Sequence, residues 1–186
     1  MPSSTFRLIS HICSRIVACL EGWELEAKSM LDIGIGFGKY GFLAREYAGG
    51  FYLPEDEKKL LVVDGIEIYE PYIQPIHRLI YDNIYIGNAS EIIKTLGIYD
   101  LILCIDMLEH TTLTEGFLLL EDIKKHSKKA LIAIPRYPSP QKALFGNENE
   151  KHISKWKPDR LYPHGKVSYI EKRTLILEMR QEASDE

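Results

Sequence analysis

Five short apolar runs, each followed by a helix-like stretch, constrain the fold of this chain more than any other feature. "SMLDIG", part of "LLVVDGIEIY", "NIYIG", "YDLILCIDML" and "ALIAIP" are bounded by Gly, Pro, Asn or charged residues. Apolar runs of this length read as buried strands. Between them, "KYGFLAREY" sets Tyr40, Leu43, Ala44 and Tyr47 on one helical face. Pro71 and Pro75 stand early in the next helix, where proline is tolerated, with Tyr72, Ile76, Leu79 and Ile80 as its core face. "NASEIIKTL" and the longer "TLTEGFLLLEDIKKHSKK" follow, the latter basic at its end as the helix dipole favours. Such alternation predicts an α/β chain with a doubly wound, mainly parallel sheet and helices on both faces. "YDLILCIDML" is the most continuously apolar run and the expected central strand, with Cys104 buried inside it.

The two ends extend this core. Residues 5 to 21 carry Ile9, Ile12, Cys13, Ile16, Val17 and Leu20 at helical spacing, broken by Ser10, His11, Ser14 and Arg15. The interruptions make a poor signal peptide or membrane span. That apolar face must cover either a pocket or a second subunit, so a homodimer is one arrangement to test. "AGGFYLPEDEKK" reads as a loop. After Pro135 come a Pro-rich loop, a short helix around "SKWKPDRL" and two β-like runs, "KVSYIEK" and "TLILEMR", an antiparallel pair joined by a weak turn signal. One domain over 1–186 is expected: an N-terminal helix region (5–27), a binding core (28–136), and a loop with the terminal β pair (137–186). A net charge of −4 argues against a broad nucleic-acid footprint. Three cysteines without CxxC spacing suit a reducing, cytoplasmic setting and neither a disulfide framework nor a zinc site.

The first strand runs into Gly34, Gly36, Gly38 and Gly41. Clustered glycine means a tight turn or backbone passing close to a ligand. Gly36-Phe37-Gly38-Lys39-Tyr40-Gly41 matches GxGxxG, in which a dinucleotide pyrophosphate rests on a helix N-terminus. The longer run Asp32-Ile33-Gly34-Ile35-Gly36-Phe37-Gly38 resembles the first motif of the class I S-adenosylmethionine-dependent methyltransferases. That cofactor carries an ammonium and a sulfonium and no pyrophosphate, so an acid at the strand end suits it and would repel a diphosphate. The resemblance implies that Asp32 holds the cationic amino-acid tail while Gly34, Gly36, Phe37 and Gly38 pass beneath the cofactor.

Further landmarks follow at the next strand ends. Glu67, with Ile68 beside it, is placed to accept hydrogen bonds from both ribose hydroxyls, for a nicotinamide cofactor as well as for S-adenosylmethionine; Asp64 is its rival. Asn88 before Ala89 stands where the family commonly has an Asp that meets adenine, and it also suits a helix cap. Asp106-Met107-Leu108-Glu109-His110 resembles a strand-end segment of class I methyltransferases acting on small-molecule hydroxyls. By that resemblance Asp106 and Met107 border the cofactor. His110 is a candidate general base, with Glu109 beside it, and the alternative is that both brace the next helix. The resemblance covers roughly 28–136; "GNENEKHISKW" also looks like a segment of uncharacterised bacterial members. No Asn-Pro-Pro-Tyr-like tetrapeptide follows the fourth strand, against the methyltransferases of planar nitrogens.

Asp106, Glu109, His110, Glu150 and His152 could gather round a divalent cation, but their spacing matches no metal motif and no metal is expected. Trp156, Tyr137 and Phe145 line a substrate pocket or simply pack. The leading expectation is methyl transfer from S-adenosylmethionine to an oxygen or nitrogen of a small metabolite, with no nucleic acid or membrane partner. A non-catalytic S-adenosylmethionine-binding protein and a nicotinamide-dependent oxidoreductase are the alternatives.

Overall fold

The computed structural model describes residues 6–21, 27–48, 61–144 and 146–181. The expected loop over 49–60 and Phe145 lie outside the described residues. The chain runs α1 (Phe6–Leu20), β1 (Ser29–Ile33), α2 (Lys39–Tyr47), β2 (Val62–Glu67), α3 (His77–Ile80), β3 (Asn83–Ile86), α4 (Ala89–Ile92) and β4 (Tyr99–Ile105). It continues with α5 (Leu113–His126), β5 (Ser127–Pro135), α6 (Pro158–Leu161), β6 (Lys166–Ile170) and β7 (Thr174–Arg180). One seven-stranded sheet orders them β3-β2-β1-β4-β5-β7-β6. The first five strands are parallel, while β7 pairs antiparallel with both β5 and β6.

Strand alternation explains why the central runs are apolar throughout. Ile102 and Cys104 of β4 face one layer with α4 and α5, among Leu119, Leu120 and Ile123. Leu101, Leu103 and Ile105 face the other, among α1 and α2 residues. A period of two with both faces buried leaves no polar position. Leu8, Ile12, Ile16 and Cys19 of α1 are buried against this second face of the sheet. The first helix therefore covers the sheet, not a pocket, and its stripe needs no second subunit. Among the described residues, no helix is long and apolar enough to cross a membrane.

Two expected helical faces turn out differently. The segment after Pro71 is a 3-10 turn over Glu70–Tyr72 and then the short α3. Pro75 lacks the N–H a continuous helix would need there. Tyr72 and Ile80 are buried as expected, but Leu79 is 70% exposed. On α2, Arg45 is buried and Tyr47 is exposed, its hydroxyl bonded to Glu21.

The β6–β7 connection is a tight turn built without glycine. Arg173 N–H donates to the Ile170 carbonyl at 3.0 Å, while Glu171 and Lys172 hold φ of 48° and 60°. Two left-handed positions in a two-residue hairpin are those that Asn-Gly fills most readily. Lys172→Gly is therefore expected to raise the unfolding free energy by up to about 1 kcal/mol, read by thermal unfolding.

Candidate functional site

The strand order reverses between β1 and β4, and their carboxyl ends border a cavity of about 370 Å³. A crevice at this switch point is where open α/β sheets bind ligands. Asp32, one residue before the end of β1, is 2% exposed and accepts a 2.8 Å hydrogen bond from the Tyr81 hydroxyl. Burial pushes its pKa up to about 6, against the opposing pull of Tyr81 and the Gly41 amide. Tyr81 can stand there only because α2 carries glycine opposite it: a Cβ on Gly41 would lie 2.5 Å from the ring. The last glycine of the GxGxxG run thus serves packing and not a phosphate.

The peptides around Gly36 are gripped from two sides. The Gly36 N–H donates to Glu67 Oε2 at 3.1 Å, and the carbonyl lies 3.0 Å from His77 Nε2. Gln74 N–H donates to His77 Nδ1 at 2.9 Å, so Nε2 carries the proton and donates to Gly36. Gly36 itself has φ of 50° and open space where a Cβ would be, so the backbone is bare toward the cavity. The other Glu67 oxygen accepts from Tyr69 N–H at 3.0 Å. Burial raises the Glu67 carboxyl, partly offset by those amides. The rival Asp64 is turned away, accepting from Tyr99 at 2.6 Å and from Asn83.

Asn88 caps α4, its side-chain oxygen accepting from Ser90 N–H at 2.9 Å, and it also borders the cavity with Ala89. Asp106 takes a left-handed φ of 51° as the chain leaves β4. That conformation is uncommon for a side-chain-bearing residue and tolerated best by Asn, Asp and His. A 3-10 turn over Leu108–His110 follows. His110 reaches the cavity, whereas Glu109 is 2% exposed inside the protein, its Oε2 without a hydrogen-bond partner among the described residues. Burial, and a nearby acid in Asp106, hold the Glu109 carboxyl well above its ordinary range. Burial first, then His152, pull the His110 imidazole down.

Every residue assigned to the site from sequence lines this cavity except Gly38 and Glu109. Gly38 packs instead against Ile80, His77 and Tyr81. The segment after β5 supplies what sequence reading missed, Asn147 and Asn149, beside Glu150. It is tied down by Ile153 and Ser154 N–H groups on the Glu109 carbonyl (2.9 and 3.1 Å) and by the Tyr72 hydroxyl on Glu150 (2.9 Å). Trp156 is a core residue, its Nε1 donating to the Leu108 carbonyl at 3.2 Å, and Tyr137 lies exposed beside Arg136. Neither lines the cavity. His77 and Tyr81, which set the glycine loop and Asp32, left no pattern in the sequence to mark them.

No protein-family model and no curated protein matches the chain. Solved structures do. Magnesium protoporphyrin IX methyltransferase from Synechocystis PCC 6803, with S-adenosylhomocysteine bound, superposes with a TM-score of 0.63 at 12% identity, over 97% of this chain and 90% of that one. The N-terminal domain of EvdMO1, also with S-adenosylhomocysteine bound, gives 0.65 at 14% identity, over 91% and 81%. An S-adenosylmethionine-dependent methyltransferase from Archaeoglobus fulgidus gives 0.54 at 19% identity, over 83% and 65%. The Rossmann-like methyltransferase fold, with its antiparallel last strands, is thus the fold of this chain.

Proposed function

We propose that this chain transfers the methyl group of S-adenosylmethionine to an oxygen or nitrogen of a small molecule, with residues 28–136 holding the cofactor and 137–186 the acceptor side. One observation carries the reading: Asp32, a buried carboxylate, stands at the glycine loop and lines the cavity. A diphosphate placed there meets a negative charge, whereas an ammonium tail meets a partner. Glu67 suits a ribose in either case.

Asp32 takes the ammonium, Glu67 the ribose hydroxyls, and Asn88 and Ala89 the adenine, with Gly34, Gly36, Phe37, Ile68, Asp106 and Met107 shaping the bed. In the transfer step the acceptor lone pair forms the new bond to the methyl carbon while the carbon–sulfur bond breaks. The electron pair stays on sulfur, which becomes a neutral thioether. Rate comes largely from alignment in a dry cleft. The proton of a hydroxyl acceptor passes to His110 Nε2, because Nδ1 is committed to the Lys151 carbonyl at 3.2 Å. Calorimetry with S-adenosylmethionine and NAD tests the cofactor, and binding of NAD alone would end the proposal. Release of S-adenosylhomocysteine from a metabolite mixture tests turnover.

Proton linkage gives a sharper check. A cation beside Asp32 favours its ionised form, so binding expels a proton whenever the free carboxyl is protonated. With a free pKa of about 6, affinity is level above neutral pH and falls as pH drops through that value. Between pH 7 and pH 5 the Kd for S-adenosylmethionine is expected to rise about tenfold, and Asp32→Asn to remove that step.

A further inference from the structure

Spacing in the sequence suggested no metal, yet the fold brings Glu109, His110 and His152 together: one ligand atom from each lies within 4.8 Å of the others. The rings of His110 and His152 meet edge to face with centroids 4.8 Å apart. We propose that these three side chains form a binding site for a divalent first-row transition metal, with His110 its link to the cavity.

Three features of the cluster point to an ion. First, the Nδ1 atoms of His110 and His152 face backbone carbonyls, of Lys151 at 3.2 Å and Ser139 at 2.7 Å. A carbonyl only accepts, so both Nδ1 atoms are protonated and both Nε2 atoms keep a lone pair. That is the arrangement a metal-bound imidazole adopts, with its second nitrogen donating to an oxygen. Second, Glu109 is 2% exposed and its Oε2 has no hydrogen-bond partner among the described residues. A buried carboxylate oxygen without a partner is costly, and a cation would supply what the protein does not. Third, two imidazoles and one carboxylate are a donor set suited to zinc, iron, cobalt or manganese, and three protein ligands leave a coordination position open. Bonds near 2.0–2.1 Å bring tetrahedral ligand atoms about 3.4 Å apart, so atoms now within 4.8 Å would close by up to about 1.4 Å on binding.

Of the three side chains His110 lines the cavity, and in the proposed site the open position turns toward it. The site deepens the methyl-transfer reading and rests on it for the reaction, not for the ion; with the ion bound, His110 is a ligand in place of a base. With His110 Nε2 occupied by the ion, a hydroxyl acceptor would bind the open position and lose its proton to water. The ion lowers the hydroxyl's pKa, and the resulting alkoxide or phenoxide takes the methyl group. The substrate class is then a molecule with a metal-ligating alcohol or phenol.

The test is a cobalt(II) titration of chelator-stripped protein without S-adenosylmethionine, followed by visible absorption. One equivalent producing ligand-field bands is expected, with His152→Ala and Glu109→Gln each weakening affinity at least about tenfold. His152 sits in a surface segment, so its variant should fold even if Glu109→Gln does not. Absence of bands with cobalt in molar excess, or wild-type affinity in His152→Ala, overturns the site. S-adenosylmethionine binding, measured separately in chelator, keeps the two readings apart: protein that binds the nucleoside but no cobalt loses only the ion.

Discussion

Asp32→Asn is expected to weaken S-adenosylmethionine binding by about a hundredfold while leaving the melting temperature at pH 7 unchanged or higher. The affinity loss follows from removing the charge that faces the ammonium in a buried site, where truncating one member of such a pair costs about 2–5 kcal/mol. Stability moves the other way because the carboxyl's pKa rises on folding, from 3.8 to about 6. Folding disfavours the ionised form. The penalty is absent below the unfolded value, grows between about pH 4 and 6, and is complete above the folded value. Asparagine escapes it and still accepts the Tyr81 hydrogen bond. Calorimetry and thermal unfolding read the two effects on one sample. Retained affinity in the variant would show that the cation binds elsewhere.

Arg45→Met should be the most damaging single change to the fold, lowering the unfolding free energy by about 3–5 kcal/mol. Arg45 is 3% exposed and donates to the Leu61 carbonyl at 2.7 Å and to Ile80 at 3.1 and 3.0 Å. It also pairs with Asp82 at 2.6 Å. Methionine matches the volume of the stem but strips a mostly buried carboxylate of this charge and two carbonyls of this donor. Urea unfolding checks the number, and a loss below about 1 kcal/mol would mean that water replaces the guanidinium. Ile80 precedes Tyr81, so the same variant should also loosen the contact to Asp32.

The strands were legible because burial on both faces leaves an uninterrupted apolar run, as in Leu101 to Ile105. Asp32, Glu67 and His110 were legible because each stands where such a run ends. The layer behind them was not. Tyr81 and His77 act through partners 49 and 41 residues away in sequence, and no local period marks such a pairing. The broken helix after Pro71 failed for a related reason: its apolar residues fit a helical face, but Pro75 interrupts the backbone bonding. Glu109 and His110 stand side by side in the sequence, but only the fold shows that His110 borders the cavity while Glu109 is buried within reach of it. His152 comes to them from a segment whose path only tertiary packing decides.

The close approach of Gly41 to the Tyr81 ring reaches into descent as well as structure. A lineage that gained a methyl at position 41 would first have to shrink position 81, and would then need a new donor for position 32. Diverging homologues should therefore exchange these three positions as a set, and an alignment of them would show the three drifting in step.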